Sequence, residues 1–438
     1  MEKTVDSKFF ENPDKTIYQA LLDISKEYED YYALGFYGRR ITYRNLIENI
    51  DRVAKALIKA GVKKGDTVTF MLPNIPQAVY VYYAINRIGA IANMIHTLSA
   101  VDTIVFSVNK AQSSFIVTMN SFCEKAKDAS KRANEELTVI YTNIFDEMSD
   151  DVKMAFAKKA ANAPLPNTDG CLYINDLINS SEDVELPNIE YVPNSVATIF
   201  YSGGTTGTSK GICLSDKNIN SMIVQQPTIV GRPIVAGKKF LSAMPLFHGY
   251  GLAFGLHAFM CSGFQCILLP QFDFDECIKV VIEEKINIMS VVPSLYEAFL
   301  RSDAFDGVDL SFFEGAFCGG DTVPLDLQRR FNTFLKEHNS VDVLREGYGL
   351  TESVTACIAN PINDTRAGSI GVPLGDLKVR IVKPGTFEDL PDGERGEMII
   401  SGSVVMLGYL NDQEETQKVL KKDTDGVTWL YTGDMCYI

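Results

Sequence analysis

A glycine- and hydroxyl-rich segment, YSGGTTGTSKG at residues 201–211, is the strongest chemical feature of the sequence. Glycines let backbone N–H groups approach an anion closely, hydroxyl groups add hydrogen-bond donors, and Lys210 adds a positive charge. A flexible loop shares the glycines and hydroxyls. The lysine and the apolar, strand-like run that precedes the segment favour a phosphate-binding loop.

Two familiar nucleotide motifs are excluded here. A Walker loop needs G-x-x-x-x-G-K-S/T. Counting from Gly204, Ser209 stands where the second glycine belongs and Gly211 where the final hydroxyl residue belongs. The dinucleotide pattern G-x-G-x-x-G is nearly matched by GYGLTE, but Glu352 replaces its third glycine.

A second candidate is EGYGLTE at residues 346–352. The ring of Tyr348 can stack on a planar base, Thr351 can donate to a phosphate oxygen, and Glu352 can hold Mg²⁺, which prefers carboxylate oxygen. Taken alone, the same residues are more typical of a β-turn around a packed tyrosine.

Two shorter segments add weaker signals. In MPLFHGYG, residues 244–251, His248 could contact an acyl group or its carboxylate, although a lone histidine is more often structural. In YTGD, residues 431–434, Asp434 suits a ribose diol and equally suits a solvent-exposed turn.

Together, in this order and spacing, the four segments resemble the adenylate-forming enzymes: acyl-CoA synthetases, firefly luciferase and the adenylation domains of nonribosomal peptide synthetases. The resemblance runs from about Thr42 to the last residue. Weaker matches at residues 72–95, 368–374 and 393–411 support it. The resemblance implies that the protein binds ATP or AMP, that Mg²⁺ is its metal, and that coenzyme A is its co-substrate.

The resemblance also implies roles for individual residues. Catalytic contacts are expected from Thr351 at the α-phosphate, Glu352 at Mg²⁺ and His248 beside the carboxylate and acyl group. Tyr348 would stack on adenine and Asp434 would bind the ribose hydroxyls. The β- and γ-phosphates would lie in the loop formed by Ser202, Gly203, Gly204, Thr205, Thr206, Gly207 and Lys210. The remaining nucleotide contacts would be Gly320, Asp321, Glu346, Gly347 and Gly349, with Thr206 joining Glu352 at the metal.

Several positions depart from the family pattern. Ser209 stands where relatives usually have proline, Gly203 where a hydroxyl residue is common, and Asp321 where a small apolar residue is frequent. Relatives continue for a further domain of about 100 residues that carries a lysine for the α-phosphate. We expect the chain, which ends at Ile438, to lack this C-terminal lid and to be weakly active or inactive alone.

The implied activity is ATP-dependent activation of a carboxylic acid to an acyl-adenylate and then to an acyl-CoA thioester. A fatty acid is the leading expectation for the substrate. An aryl acid of the coumarate type is the alternative, and a nucleotide-binding module without catalysis is another.

Composition sets wider limits on function. The 438 residues carry 41 basic and 56 acidic side chains, a net charge of −15, so we expect no nucleic-acid partner. The nine cysteines include no C-x-x-C pair, which is typical of a reducing compartment. With no signal peptide and no apolar stretch long enough for a bilayer, the prediction is a cytoplasmic protein without a transmembrane segment.

The elements that must position these motifs follow from hydrophobic patterning. β-branched runs alternate with amphipathic stretches up to about residue 360, which predicts buried parallel strands covered by helices. Shorter alternating strands follow. We therefore predict an α/β fold with two successive sheet subdomains and flanking helices, at residues 1–190 and 191–360, plus a small antiparallel β-barrel-like subdomain at residues 361–438.

Overall fold

Continuous apolar runs form the strands of this α/β protein. The computed structural model describes residues 3–159, 165–202 and 209–438. The strands, in chain order, are β1 (Tyr32–Phe36), β2 (Arg39–Thr42), β3 (Thr67–Met71), β4 (Ile91–Met94), β5 (Phe115–Met119), β6 (Thr138–Thr142), β7 (Leu172–Tyr173), β8 (Val196–Ser202), β9 (Lys210–Ser215), β10 (Lys239–Ser242), β11 (Gln265–Leu268), β12 (Ile288–Val291), β13 (Gly315–Cys318), β14 (Leu344–Gly349), β15 (Ala356–Ala359), β16 (Val372–Pro373), β17 (Lys378–Val382), β18 (Gly396–Ser401), β19 (Gly408–Tyr409), β20 (Leu420–Lys422) and β21 (Thr428–Cys436).

Helices cover the sheets and connect their parallel strands. The α-helices are α1 (Ile17–Glu27), α2 (Tyr43–Lys59), α3 (Pro76–Arg87), α4 (Val101–Ala111), α5 (Cys123–Arg132), α6 (Asp150–Lys159), α7 (Ile174–Asn179), α8 (Asp216–Val230), α9 (Phe274–Glu283), α10 (Pro293–Arg301), α11 (Leu325–Glu337) and α12 (Gln413–Val419). A π-helix spans Tyr250–Ala258, and a short 3₁₀ turn at Thr351–Ser353 bears on the site below. Within the described residues, no helix has both the length and the apolarity needed to cross a membrane.

Two large sheets carry the architecture. An eight-stranded sheet has the order β19-β9-β8-β4-β3-β5-β6-β7, and a nine-stranded sheet has the order β16-β15-β14-β13-β12-β10-β11-β1-β2. The central pairs are parallel, and all five residues of β3 are buried, as expected for strands covered on both faces. The α/β class predicted from the sequence is confirmed.

A third, small sheet lies toward the C-terminus. Its four strands follow the order β17-β18-β21-β20, and all three pairs are antiparallel. Alternating side chains of this sheet contribute a local cluster around Trp429 and Tyr431. This confirms the antiparallel sheet predicted for the last part of the chain.

Strand pairing crosses the boundaries predicted at residues 190 and 360. β8 and β9 belong to the same sheet as β3–β7, β1 pairs in parallel with β11, and β19 pairs with β9. Hydrophobic alternation identifies strands but not their partners, so the order of strands in the sheets does not follow the order of the chain. Whether the three predicted segments are independent units stays a prediction.

A buried ion pair fixes the strand that carries EGYGLTE. Arg345 and Asp342 both have fully buried side chains, 3.3 Å apart. The Arg345 guanidinium also donates to the carbonyl of Ile229 at the end of α8, at 2.6 Å, and lies 4.1 Å from the ring centroid of Phe317. Arg345 therefore ties β14 to β13 and to α8.

We predict that Arg345→Ala destabilises the protein by about 3–5 kcal/mol, because it removes a fully buried guanidinium from the Asp342 carboxylate and leaves only Arg232, 3.6 Å away, to compensate that charge. The midpoint of urea unfolding measures the change. Arg329→Ala is the control, since Arg329 is 79% exposed in its pair with Asp326 and should contribute no more than about 1 kcal/mol. Equal midpoints for the two variants would contradict the structural role of Arg345.

Candidate functional site

The predicted motifs meet at one open cleft with a volume of about 520 Å³. This volume lies within the usual range for small-molecule sites. The predicted site residues that line it are Ser202, Lys210, His248, Gly320, Gly347, Gly349, Thr351 and Glu352. They come from four separate stretches of the chain, so the fold assembles what the sequence presents as distant segments.

A β-hairpin presents both ends of the glycine-rich segment to the cleft. Ser202 ends β8, Lys210 begins β9, and the two residues are cross-strand partners. The hydroxyl of Ser209 donates to the carbonyl of Ser202 at 3.1 Å. The predicted phosphate ligands between them lie outside the described residues: Gly203, Gly204, Thr205, Thr206 and Gly207.

The ammonium group of Lys210 already has partners at the cleft edge. Its Nζ lies 2.6 Å from Oε2 of Glu415, in α12, and 4.8 Å from the ring centroid of Tyr409. The Tyr409 hydroxyl donates to Oε1 of Glu352 at 2.9 Å. Tyr409 thus connects the lysine of the first motif with the carboxylate of the second.

A strained turn orients Thr351 and Glu352. The 3₁₀ turn Thr351–Ser353 ends at Val354, whose φ of 66° and ψ of −59° lie in a region that β-branched residues rarely adopt. The N–H of Thr355 donates to the carbonyl of Ser353 at 2.7 Å, which closes a γ-turn. Strain of this kind persists where the surrounding structure fixes it, and it is common at functional sites.

Two glycines allow backbone segments to approach this turn. A Cβ on Gly349 would lie 1.7 Å from the carbonyl oxygen of Thr355, and one on Gly249 would lie 1.9 Å from that of Val354. Any larger residue would push the turn away. The glycines of EGYGLTE and MPLFHGYG therefore serve close packing around residues 351–355.

His248 lies in the cleft wall beside this turn. Its side chain is exposed within the cleft, and its Nδ1 accepts a hydrogen bond from the N–H of Tyr250 at 3.2 Å. Desolvation by the surrounding walls lowers the pKa of His248 below its usual 6.5. A neutral imidazole is therefore favoured at neutral pH.

Tyr348 and Asp434 contact each other, and each lies within two residues of a position that lines the cleft. The Tyr348 hydroxyl donates to Oδ2 of Asp434 at 2.5 Å, and the Asp434 carboxylate is exposed. Burial and this hydrogen bond raise the pKa of Tyr348 above its usual value. Neither side chain belongs to the set that lines the cleft, but Thr432, two residues before Asp434, does.

Two other predicted contacts, Asp321 and Glu346, have hydrogen-bond partners outside the cleft lining. Asp321 is exposed, and its carboxylate accepts from the N–H of Thr322 at 2.7 Å. Glu346 accepts from the N–H of Val323 at 3.3 Å, and burial raises the pKa of its carboxyl group. Neither residue is among those that line the cleft. Their roles as nucleotide contacts stay predictions.

Sequence reasoning assigned no chemistry to several residues of the site. Tyr409 lies in a segment whose resemblance was noted, residues 393–411, yet its contact with Glu352 spans 57 positions. Glu415 has no motif at all, and only its position opposite Lys210 gives it significance. The sequence held a signal for Tyr409 and none for Glu415.

A narrow apolar recess opens from the cleft. It has a volume of about 20 Å³ and lies between the π-helix and strands β13–β15. Tyr250, Phe254 and Phe317 contribute aromatic rings, while Gly347, Ala356 and Ala359 are small. The cleft and recess are adjacent, since they share Tyr250, Gly319, Gly347 and Ala356.

The described part of the chain contains no cluster of three or more His, Cys, Asp or Glu residues that could hold a metal ion. Mg²⁺ does not require such a cluster, since it is commonly bound by one or two carboxylates together with substrate phosphates. Glu352 in the cleft wall fits this mode of binding.

Comparisons with known proteins extend this description. The sequence profile of the AMP-binding enzyme family matches residues 22–410. A long-chain-fatty-acid–CoA ligase of Bacillus subtilis (strain 168) is 30% identical over 431 residues, which cover 97% of this chain and 75% of the relative. A probable 4-coumarate–CoA ligase 2 of Dictyostelium discoideum is 28% identical over 430 residues, again 97% and 75% of the two chains.

One solved structure is similar over nearly the whole chain. It is a long-chain-fatty-acid-CoA ligase from Archaeoglobus fulgidus, with a TM-score of 0.81 and 17% sequence identity. The match covers 97% of this chain and 82% of that one. At this identity the structural match establishes the fold, while the sequence matches carry the family relationship.

Proposed function

Because this chain belongs to the AMP-binding enzyme family, we propose that it activates a carboxylic acid with ATP and transfers the acyl group to coenzyme A. The observation that carries the proposal is the meeting of separate motifs at one cleft. Hydroxyl, ammonium, carboxylate and imidazole groups line the same space there, and an apolar recess adjoins it.

The nucleotide would lie along the cleft. We assign its β- and γ-phosphates to the hairpin segment that Ser202 and Lys210 delimit, with Gly203, Gly204, Thr205, Thr206 and Gly207 between them. Thr351 would contact the α-phosphate, Tyr348 would stack on adenine, and Asp434 would accept from the ribose hydroxyls. Gly320, Gly347 and Gly349 would let the backbone approach the nucleotide, with Asp321 and Glu346 at its edge.

The chemistry requires no protein nucleophile. A carboxylate oxygen of the substrate attacks the α-phosphorus of ATP, the bond to the β-phosphate oxygen breaks, and pyrophosphate leaves. The thiol of coenzyme A, losing its proton, then attacks the acyl carbon, and AMP leaves. The protein contributes positioning and stabilisation of the charge that develops on the phosphates.

Mg²⁺ bound to the phosphates would neutralise part of their charge. We propose Glu352 as its carboxylate ligand, with Thr206 beside it. The hydrogen bond from Tyr409 holds one oxygen of the Glu352 carboxylate and so fixes its orientation. His248, neutral at pH 7, would border the substrate carboxylate without adding a charge of its own.

Two classes of acid fit different observations. The 30% identity to a long-chain-fatty-acid–CoA ligase supports a fatty acid, which is our leading candidate. The 28% identity to a probable 4-coumarate–CoA ligase supports an aryl acid, on which the aromatic rings beside the recess could stack. A nucleotide-binding role without catalysis remains the alternative of a different class.

Stable analogues of the acyl-adenylate test the function. We predict that octanoyl- or cinnamoyl-sulfamoyl adenosine binds at least about 10-fold more tightly than sulfamoyl adenosine, since two buried CH₂ groups contribute ~1.6 kcal/mol. Calorimetry gives the affinities, and the tighter of the two identifies the acid class. Equal affinities for all three compounds would contradict acyl recognition and favour the nucleotide-binding module.

We predict that Glu352→Gln weakens MgATP binding by about 10-fold and leaves binding of AMP in EDTA nearly unchanged. The substitution removes the charge that attracts the metal and keeps an oxygen that can accept from Tyr409. Calorimetric titrations with each ligand make the comparison. Equal losses for MgATP and metal-free AMP would refute the metal role.

We predict that Asp434→Ala weakens AMP binding by about 10- to 100-fold, because hydrogen bonds to a charged group contribute ~1.5–3 kcal/mol. Binding of 2′,3′-dideoxy-AMP should not weaken further, since it lacks both hydroxyls. Tyr348→Phe is the control, because it removes the hydroxyl that donates to Asp434 and keeps the ring. An equal loss for dideoxy-AMP would place Asp434 away from the ribose.

A further inference from the structure

Lys210, the charged residue of the glycine-rich hairpin, is held by an acidic partner from outside every motif. Oε2 of Glu415 lies 2.6 Å from the Lys210 ammonium, across 205 positions of sequence. The Lys210 side chain is 20% exposed and that of Glu415 is 30% exposed. The pair therefore lies at the cleft margin, partly protected from solvent.

Local structure fixes the position of Glu415. It lies in the first turn of α12, where the side chain of Asp412 caps the helix by accepting from the Glu415 N–H at 3.1 Å. The hydroxyl of Thr416 accepts from the N–H of Tyr409 at 2.9 Å. The helix that carries Glu415 is thus anchored to the tyrosine that lies against Lys210.

The Glu415 carboxyl group is ionised at neutral pH. Hydrogen bonds from Lys210 and Lys418 lower the pKa of its carboxyl group to about 2. An ionised carboxylate and an ammonium at this distance form a charge-assisted hydrogen bond. The positive charge of Lys210 is therefore already neutralised before a ligand enters the cleft.

We propose that Glu415 is a specificity-determining residue that competes with the β- and γ-phosphates of ATP for Lys210. The inference rests on the proposed nucleotide site. In the ligand-free chain the Glu415 carboxylate is paired with the Lys210 ammonium. When ATP binds, its triphosphate replaces the carboxylate as the partner of Lys210. AMP, which lacks both phosphates, does not meet this competition. Glu415 therefore lowers the affinity for ATP relative to AMP.

The exchange is physically feasible because neither the Lys210 ammonium nor the Glu415 carboxylate is left without a partner or solvent. The partly exposed Glu415 carboxylate can be hydrated when it is released, and it keeps Lys418 as a partner, with Nζ 2.5 Å from Oε1. A fully buried carboxylate would lose the only cation that compensates its charge, and its release would therefore be unfavourable.

The test compares Glu415→Gln with Glu414→Gln. Both substitutions remove one negative charge from the same helix turn, but Glu414 is 85% exposed and pairs with Lys418, away from Lys210. We expect Glu415→Gln to bind ATP about 3- to 10-fold more tightly than Glu414→Gln does, as measured by calorimetry. Affinity for AMP should agree within about 2-fold, which also verifies that both variants fold.

A double-mutant cycle locates the effect at Lys210. In a Lys210→Ala background, the addition of Glu415→Gln should change ATP affinity by less than about 2-fold, because the contested ammonium is gone. Glu415→Asp, which keeps the charge on a shorter side chain, should give an intermediate gain. A persistent gain without Lys210 would assign the effect to general repulsion and overturn the competition.

The remaining outcomes separate this inference from the proposed function. If the unmodified chain binds ATP and AMP but Glu415→Gln matches Glu414→Gln or binds ATP more weakly, Glu415 does not compete for Lys210. If the unmodified chain binds neither ATP nor AMP, the nucleotide site is wrong and the inference falls with it.

Discussion

The geometry of the cleft depends on how closely other backbone segments approach the turn at residues 351–355. Gly349 and Gly249 permit contacts to its carbonyl oxygens that any side chain would prevent. The positive φ of Val354 is held by these contacts on both sides. Thr351 and Glu352 owe their place in the cleft to this packing, and so does the position of His248, one residue before Gly249.

Charges near the cleft are compensated in two different ways. Arg345 and Asp342 are fully buried, and the geometry around them fixes one arrangement. Lys210 and Glu415 are partly exposed, so water or a ligand can take the place of either partner. The first pair holds the strand that ends in EGYG, and the second leaves a cation at the cleft that another anion can reach. Burial distinguishes a structural ion pair from an exchangeable one.

The sequence predicted the functional site best where the functional groups lie within a few residues of one another. The motifs containing Lys210, His248 and Glu352 were found because glycines and functional groups lie next to each other in the chain. The α/β class followed from hydrophobic alternation. The pairing of β1 with β11 and the Lys210–Glu415 contact could not be found in this way, because each joins segments about 200 or more positions apart. No local pattern encodes such partners, and tertiary packing alone brings them together.

In the function that we propose, the recess would select the acid more than the cleft does. Its volume of about 20 Å³ has room for one or two water molecules, so neither an acyl chain nor an aryl ring enters unless a wall moves. Movement is restricted on two sides. Phe317 is packed against the buried Arg345 guanidinium, and the Tyr250 hydroxyl lies 2.6 Å from that of Ser290. Phe254, on the π-helix, is buried among apolar side chains, forms ring contacts with Tyr250, Phe259 and Phe317, and carries no hydrogen-bonding group. Rotation of its ring therefore breaks no hydrogen bond, and in the proposed function the acid that binds would depend on how far this ring can move.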